Sequence, residues 1–265
     1  MLSRLAALPR RTALALSAVP VLALLGVTAF APLPYAVAQP GSTEDVLGEH
    51  KGEQVITVEG TTARSTKGKL LMTTIAATGP DVEVGLGDVI DGWFRTDRAV
   101  MPREAVYPTG DSTEEIKKHN LGEMKRSQDA AVAAALNYLD ESPQDVRVEL
   151  QMEDVGGPSA GLLFTLGIID KLDGDGSGGD LTGGRTIAGT GTITADGKVG
   201  PVGGVALKTQ AAGRDGASVF LVPEAECADA KAELPDGLRL IPVTTLDGTV
   251  EALRALNKGD KVPTC

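Results

Sequence analysis

Histidine, aromatic residues and positive charge are all scarce in this chain, and each shortage closes off a class of function. The only histidines are His50 and His119, both in polar neighbourhoods, so a Ser-His-Asp triad is poorly supplied. The two cysteines, Cys227 and Cys265, have no histidine around them, which argues against a Cys-His nucleophile. Aromatics make up 3% of the 265 residues, so a core must be built from Leu, Val, Ile and Ala. The formal net charge is −11 and no basic patch interrupts it, which argues against nucleic-acid binding. Gly197-Lys198 is followed by Val199, so there is no Gly-x-x-x-x-Gly-Lys-Ser/Thr phosphate loop and no nucleotide is expected to be hydrolysed. Asp173-Gly174-Asp175-Gly176-Ser177-Gly178 begins like a calcium loop, but its twelfth position is Gly184, where a bidentate Glu is needed. It reads as a solvated acidic loop, and neither a metal nor a cofactor is expected.

One long apolar run is present. Thr12 to Phe30 is 19 residues without a charge, preceded by Arg4, Arg10 and Arg11. That length suits a membrane span, and the arginines would hold the N-terminus in the cytoplasm. Pro20 within it is tolerated in a span. A cleaved signal peptide is the alternative, since Ala36-Val37-Ala38 satisfies the small-residue rule before Gln39. The length of the run favours an uncleaved anchor. Either way the bulk of the chain lies outside the cytoplasm, where Cys227 and Cys265 are expected to form a disulfide.

Beyond the anchor, Gln54 to Val58 alternates as a strand and Lys69 to Ile75 reads as another. The polar stretch 59–68 between them suggests a hairpin. Asp88 to Phe94 reads as a short helix and 95–110 as irregular. Ser112-Thr113-Glu114-Glu115 is a capping box for a helix running to Leu139, with a break at Gly122. Asp196-Gly197 signals a type I′ hairpin.

The richest stretch is Gly156-Gly157-Pro158-Ser159-Ala160-Gly161. It follows a strand-like run, 145–150, and leads into an apolar segment at helical spacing from Leu162 to Leu172. A serine between glycines at a helix mouth sits among unpaired N–H groups, a setting that suits attack creating an oxyanion. It also suits a plain helix cap. Downstream, Pro201-Val202-Gly203-Gly204 precedes Lys208 on the first turn of a second helix. With so little histidine, a serine enzyme needs another base, and a buried lysine can serve.

These two segments resemble the signatures of the Lon proteolytic domain, a Pro-Ser-Ala-Gly turn and a Pro-x-Gly-Gly-x-x-x-Lys turn. The resemblance extends over about residues 121–256, from Leu121-Gly122-Glu123-Met124 to the strand-like 219–224 and 238–243. It implies an α/β (α+β) fold, a Ser159–Lys208 dyad and a supporting threonine at Thr190. It also implies an ATP-independent serine endopeptidase acting on proteins or peptides, and allows a homo-oligomer as in the family.

Leu33-Pro34-Tyr35, Gln39-Pro40-Gly41, 67–74 and 100–108 further resemble the membrane-anchored Lon-like peptidases of Gram-positive bacteria. Those relatives carry a PDZ domain where this chain has only Asp140 to Gln144, so the module is absent. Gly156 also departs from ATP-dependent Lon enzymes, which carry an Asp there; the nearest acid here is Asp154. The loop 173–184 is longer than usual.

The expected organisation is a basic lead (1–11), an anchor (12–33), a β-rich extracytoplasmic segment (34–110), the proteolytic domain (111–258) and a tail (259–265). The expected location is the cell membrane, single-pass, with the proteolytic domain extracytoplasmic. The competing reading is a non-catalytic, membrane-tethered interaction module on a Lon-like scaffold.

Overall fold

The computed structural model describes residues 9–107, 112–152 and 155–265; Arg4, Pro108 and Asp154 lie outside them. In chain order the elements are α1 (Arg10–Phe30), β1 (Tyr35–Asp45), β2 (Glu49–His50), β3 (Glu53–Gln54), β4 (Ile56–Glu59), β5 (Lys69–Ala77), α2 (Leu86–Phe94), β6 (Ala99–Pro102) and α3 (Arg103–Val106). The second half comprises α4 (Thr113–Leu139), β7 (Arg147–Leu150), α5 (Gly161–Leu172), β8 (Thr186–Gly189), β9 (Thr192–Ile193), β10 (Val199–Gly200), α6 (Val205–Arg214), β11 (Val219–Pro223), α7 (Cys227–Lys231), β12 (Arg239–Val243) and α8 (Leu246–Lys258). The chain forms two compact units, one of residues 1–38 and 77–108 and one of 39–76 and 109–265. The segment 34–110 is thus divided between them.

In the large unit a sheet of order β12-β11-β8-β5-β1 has β12, β11, β8 and β5 running parallel. A strand buried on both faces reads as a continuous apolar run rather than an alternation, and β11 (Val219-Phe220-Leu221-Val222) does so. Its side chains still divide by parity. Leu70, Met72, Ile187, Val219, Leu221, Ile241 and Val243 enter one core with α4, α5 and α8. Leu71, Ala188, Phe220, Val222 and Leu240 enter a second core with α6 and α7. Helix α5 is buried on every side, from Gly161 to Lys171. A helix apolar all round belongs inside a domain.

Four local expectations are corrected. β4 does not form a hairpin with β5: it pairs antiparallel with β7, Ile56 opposite Leu150, while β5 pairs with β8. The stretch between them is held elsewhere, with Arg64 donating to the carbonyls of Asp170, Gly178 and Gly179, each at 3.0 Å. Helix α4 runs through Gly122 without a break, capped by Ser112, whose side chain accepts from the Glu115 amide. The β9–β10 turn is not type I′. Only Gly197 has positive φ (+81°), and the Thr194 amide closes onto the Lys198 carbonyl, giving a three-residue loop with a left-handed glycine. Further, 95–110 is not wholly irregular, since it contains β6 and α3.

The 173–184 loop uses its acidic groups internally. Asp175 Oδ1 accepts from the amides of Ser177 and Gly179, and Arg64 stands within 3.8 Å of Asp170 and 3.7 Å of Asp180. Asp170 is fully buried, and its carboxyl is pushed up to about 6 by that burial.

In the small unit, the first residues of β1 pair antiparallel with β6, Tyr35 opposite Pro102. Val37, Val84 and Val89 form a small core there. α1 is a 21-residue helix, about 31 Å long at 1.5 Å per residue, and is long and apolar enough to cross a membrane. Two of its hydroxyls are satisfied within the helix, Ser17 on the Leu14 carbonyl and Thr28 on Leu24.

Cys227, at the start of α7, and Cys265 are joined, their sulfurs 2.03 Å apart, and both pack against the second core. The closure links positions 38 residues apart, which the chain-entropy relation values at about 3–4 kcal/mol. Cys265→Ser should therefore lose about that much stability in urea unfolding. Non-reducing peptide mapping should recover the linked pair, and two thiols alkylated without reductant would refute it.

Candidate active site

Thr190 is the hub of the site. It follows the last residue of β8, the middle strand of the parallel sheet, at the carboxyl end where open α/β sheets place their crevices. Its amide donates to the Leu221 carbonyl at 3.1 Å, which fixes the residue against β11. The side chain is fully buried.

The serine turn is strapped onto this point. The Gly191 amide donates to the Ser159 carbonyl at 2.9 Å, and the Leu162 amide donates to the Gly191 carbonyl at 3.1 Å. Ser127 of α4 donates to the Pro158 carbonyl at 3.0 Å, and the Gly157 amide donates to the Asn120 carbonyl at 3.1 Å. The turn is therefore held between α4 and the end of β8. Ser159 itself is half-buried, and among the described residues the amides of Ser159 and Ala160 donate to no backbone carbonyl. They stand at the N-terminal end of α5, where the helix dipole adds positive potential.

Lys208 arrives from α6. Gly204 caps that helix in the left-handed conformation (φ +68°), and a β-carbon there would meet Ile75 Cγ2 at 2.9 Å. The Pro201-to-Gly204 turn thus requires glycine on two counts. One turn later Lys208 is 3% exposed, with Nζ donating to Thr190 Oγ1 at 3.1 Å. Thr190 Oγ1 in turn donates to the Ser159 carbonyl at 3.2 Å. Because the hydroxyl's single proton is committed to that carbonyl, Thr190 can only accept from the amine. The lone pair of a neutral Lys208 is left unclaimed by it.

Burial pulls Lys208 down from 10.5 to about 8, and the Glu226 carboxylate opposes that shift. Glu226 was not singled out in the sequence, where it is one acid among many. It follows β11, and its Oε1 accepts from the Val202 amide in the lysine turn at 3.0 Å. Its Oε2 is buried with no hydrogen-bond partner among the described residues. Burial raises its carboxyl, and the Lys208 charge counteracts this. No residue pattern announces such a role: the acid lies 18 positions from the lysine and meets it only through the crossover of α6 and β11.

Thr190, Lys208 and Ser159 thus come together as one hydrogen-bonded chain. Cys227 and Cys265 lie elsewhere, against the second core. Among the described residues no cluster of three or more His, Cys, Asp or Glu side chains could hold a metal.

The segment that carries this serine–threonine–lysine chain is the one shared with known proteins. Residues 120–255, just over half the chain, match the Lon protease (S16) C-terminal proteolytic domain. The chain is 39% identical over 94 residues to the Lon protease of Chloroflexus aggregans, covering 34% of this chain and 11% of that protein. It is 29% identical over 151 residues to the Lon protease of Rickettsia bellii, covering 55% and 19%. It is also 29% identical over 162 residues to the archaeal Lon protease of Pyrococcus abyssi, covering 57% and 16%. This chain belongs to the Lon protease family through its proteolytic domain, and spans less than a fifth of the length of these relatives.

The departure at Gly156 has a steric reason. A β-carbon there would lie 2.7 Å from Cβ of Asn120, so α4 passes too close for an aspartate.

Lys208 should titrate near pH 8 when followed by NMR of carbon-labelled lysine, with Lys208→Met assigning the signal. Glu226→Gln keeps an acceptor for Val202 and removes the anion favouring the ammonium, so the midpoint should move lower. A midpoint near the ordinary lysine value of about 10.4 would contradict the burial argument.

Proposed function

We propose that this protein is an ATP-independent serine endopeptidase, anchored in the membrane by α1, in which Ser159 is the nucleophile and Lys208 the base. The observation that carries the reading is the buried chain from Lys208 through Thr190 to the Ser159 carbonyl. It supports a neutral amine held beside the serine with its lone pair unspent.

In the proposed reaction neutral Lys208 takes the Ser159 Oγ proton as Oγ bonds to the scissile carbonyl carbon. The carbonyl electron pair moves onto oxygen, and the Ser159 amide at the mouth of α5 stabilises that oxyanion. The Lys208 ammonium then protonates the leaving amine as the C–N bond breaks, leaving an acyl-enzyme. Water attacks the ester, Lys208 takes its proton, and the released Ser159 oxygen recovers it. Thr190 orients the amine through both halves of the cycle.

Substrates in this reading are proteins or peptides outside the cytoplasm or at the membrane surface. The arginines before the uncharged run of α1 support a cytoplasmic N-terminus. A length of about 31 Å matches the hydrocarbon core of about 30 Å. A homo-oligomer would follow the family habit.

Ser159→Ala and Lys208→Ala should each abolish peptide hydrolysis with the fold retained, and the double variant should be no worse than either. Lys208→Arg should be inactive, because guanidinium does not release its proton at usable pH. Thr190→Val should lower kcat about 10- to 100-fold, the cost of one buried hydrogen bond to a charged group, while Thr190→Ser should recover most of it. The basic form is the active one, so kcat/KM should rise with pH about a midpoint near 8. Appreciable turnover by Lys208→Ala would exclude the dyad, and absence of turnover by the unsubstituted chain would leave the non-catalytic reading.

A further inference from the structure

The small unit carries an apolar surface that its own core does not use. Helix α2 buries Val89 and Gly92 inward, Val89 in the valine core and Gly92 close against Val100. Its other face should be polar if it met water. Instead it bears Ile90, Trp93 and Phe94, at 43%, 72% and 86% exposure. Their spacing, i, i+3 and i+4, puts all three on one side of the helix.

Two further observations say what covers this face. The first is position. Leu33, three residues beyond the end of α1, bridges to Val84, two residues before α2, and α2 packs against α1. The apolar face is thus continuous with the helix that can span a bilayer and lies at the level where the chain leaves it. The second is composition. The chain has eight aromatic residues, and five of them, Phe30, Tyr35, Trp93, Phe94 and Tyr107, fall in the small unit. Outside α1, the exposed large apolar residues among the described ones are Tyr35, Val82, Ile90, Trp93 and Phe94 here, against Leu121 and Leu234 in the large unit. Aromatic side chains gathered at the end of an apolar helix are the pattern of a membrane–water interface.

We propose that α2 lies in the bilayer interface, with Ile90, Trp93 and Phe94 among the headgroups and upper acyl chains, and that it fixes the small unit on the membrane surface. The proposal rests on the anchored reading of α1. The nearby cations are already paired, Arg95 with Asp97 and Arg98 with Asp91. Apolar burial rather than attraction to anionic lipid therefore supplies the affinity, and neutral phosphatidylcholine suffices.

Trp93 is the only tryptophan in the chain, so its fluorescence reports on this face alone. The full chain is reconstituted in phosphatidylcholine vesicles, with alkaline-carbonate extraction of the same sample. Flotation with the vesicles after extraction reports on α1. The expected result is a blue-shifted Trp93 emission, strongly quenched by lipids brominated near the headgroup, weakly by lipids brominated at the chain ends, and protected from acrylamide. Phe94→Glu, at a position 86% exposed, should keep the circular dichroism and reduce both the blue shift and the lipid quenching. Retention of the protein with Trp93 unquenched by lipid and open to acrylamide would overturn the proposal and leave the anchor standing. Protection from acrylamide without lipid quenching would assign the face to another protein surface and overturn it as well. Release of the protein by carbonate would overturn the anchored reading itself, and this proposal with it.

Discussion

A lysine amine held out of water is the constraint around which the large unit is organised. An isolated ammonium in a protein interior is costly, and a lysine so placed moves toward its neutral form unless an anion compensates it. Here the compensation is partial. Thr190 accepts one N–H, and Glu226 supplies charge without cancelling the effect of burial. Full pairing would hold the amine charged; with no partner at all, the position would carry an unsatisfied buried donor. The intermediate balance leaves an amine pulled down to about 8 that can both take and return a proton, which is what the proposed reaction asks of it.

Holding three groups from distant parts of the chain at such spacing requires stiff supports, and the fold provides them in layers. The parallel strands β5, β8 and β11 fix Thr190 from both sides, through ladder bonds below it and the Leu221 carbonyl beside it. The serine turn cannot drift, because reciprocal amide bonds with Gly191 fasten one side and α4 fastens the other. The lysine turn is tied to the segment after β11 by the Glu226–Val202 bond, and Cys227, the next residue, is joined to Cys265. Where these segments crowd one another, glycine is the residue present. A β-carbon at Gly161 would reach Ser127 Oγ at 2.9 Å, and one at Gly189 would reach Leu221 Cβ at the same distance. Small residues are thus imposed by backbone packing at the site as well as by turn geometry.

The parts of this arrangement legible in the sequence were those with local causes. The apolar run of α5, the Ser112 cap of α4 and the β-rich character of 219–223 each follow from periodicity or from one side chain bonding its own backbone. Ser159, Thr190 and Lys208 were legible because a family resemblance carried the long-range information that periodicity lacks. What failed was partner choice. Glu59 to Gly68 has a polar composition that fits a hairpin loop, yet β4 pairs with β7, from the segment before the serine turn, and β5 with β8. Arg64 in that stretch binds carbonyls more than a hundred positions away. Nothing near Arg64 in sequence distinguishes it from a solvated arginine. Glu226 was illegible for the same reason, since its significance lies in the crossover that brings β11 beside α6.

A whole-chain average also concealed a division of labour between the two units. An aromatic content of 3% reads as a uniform shortage, but the large unit has little need of more. Its two cores are closed by aliphatic strands of alternating parity, with Phe164 and Phe220 as fully buried aromatics. In a sheet covered on both faces, branched aliphatics pack the pleat well and aromatics bring little further gain. The small unit reverses the distribution. Its core is three valines, too few to fix a helix of the weight of α2, while Trp93 and Phe94 stand outward. An arrangement of that kind is stable in water only at the cost of exposed apolar surface, which soluble monomers keep small. The same arrangement against lipid carries no such cost, because the surface left over from the core becomes the surface that holds the unit in place. On the proposed placement of α2, the two units are solutions to different solvents, one closed against water and one left open to a bilayer.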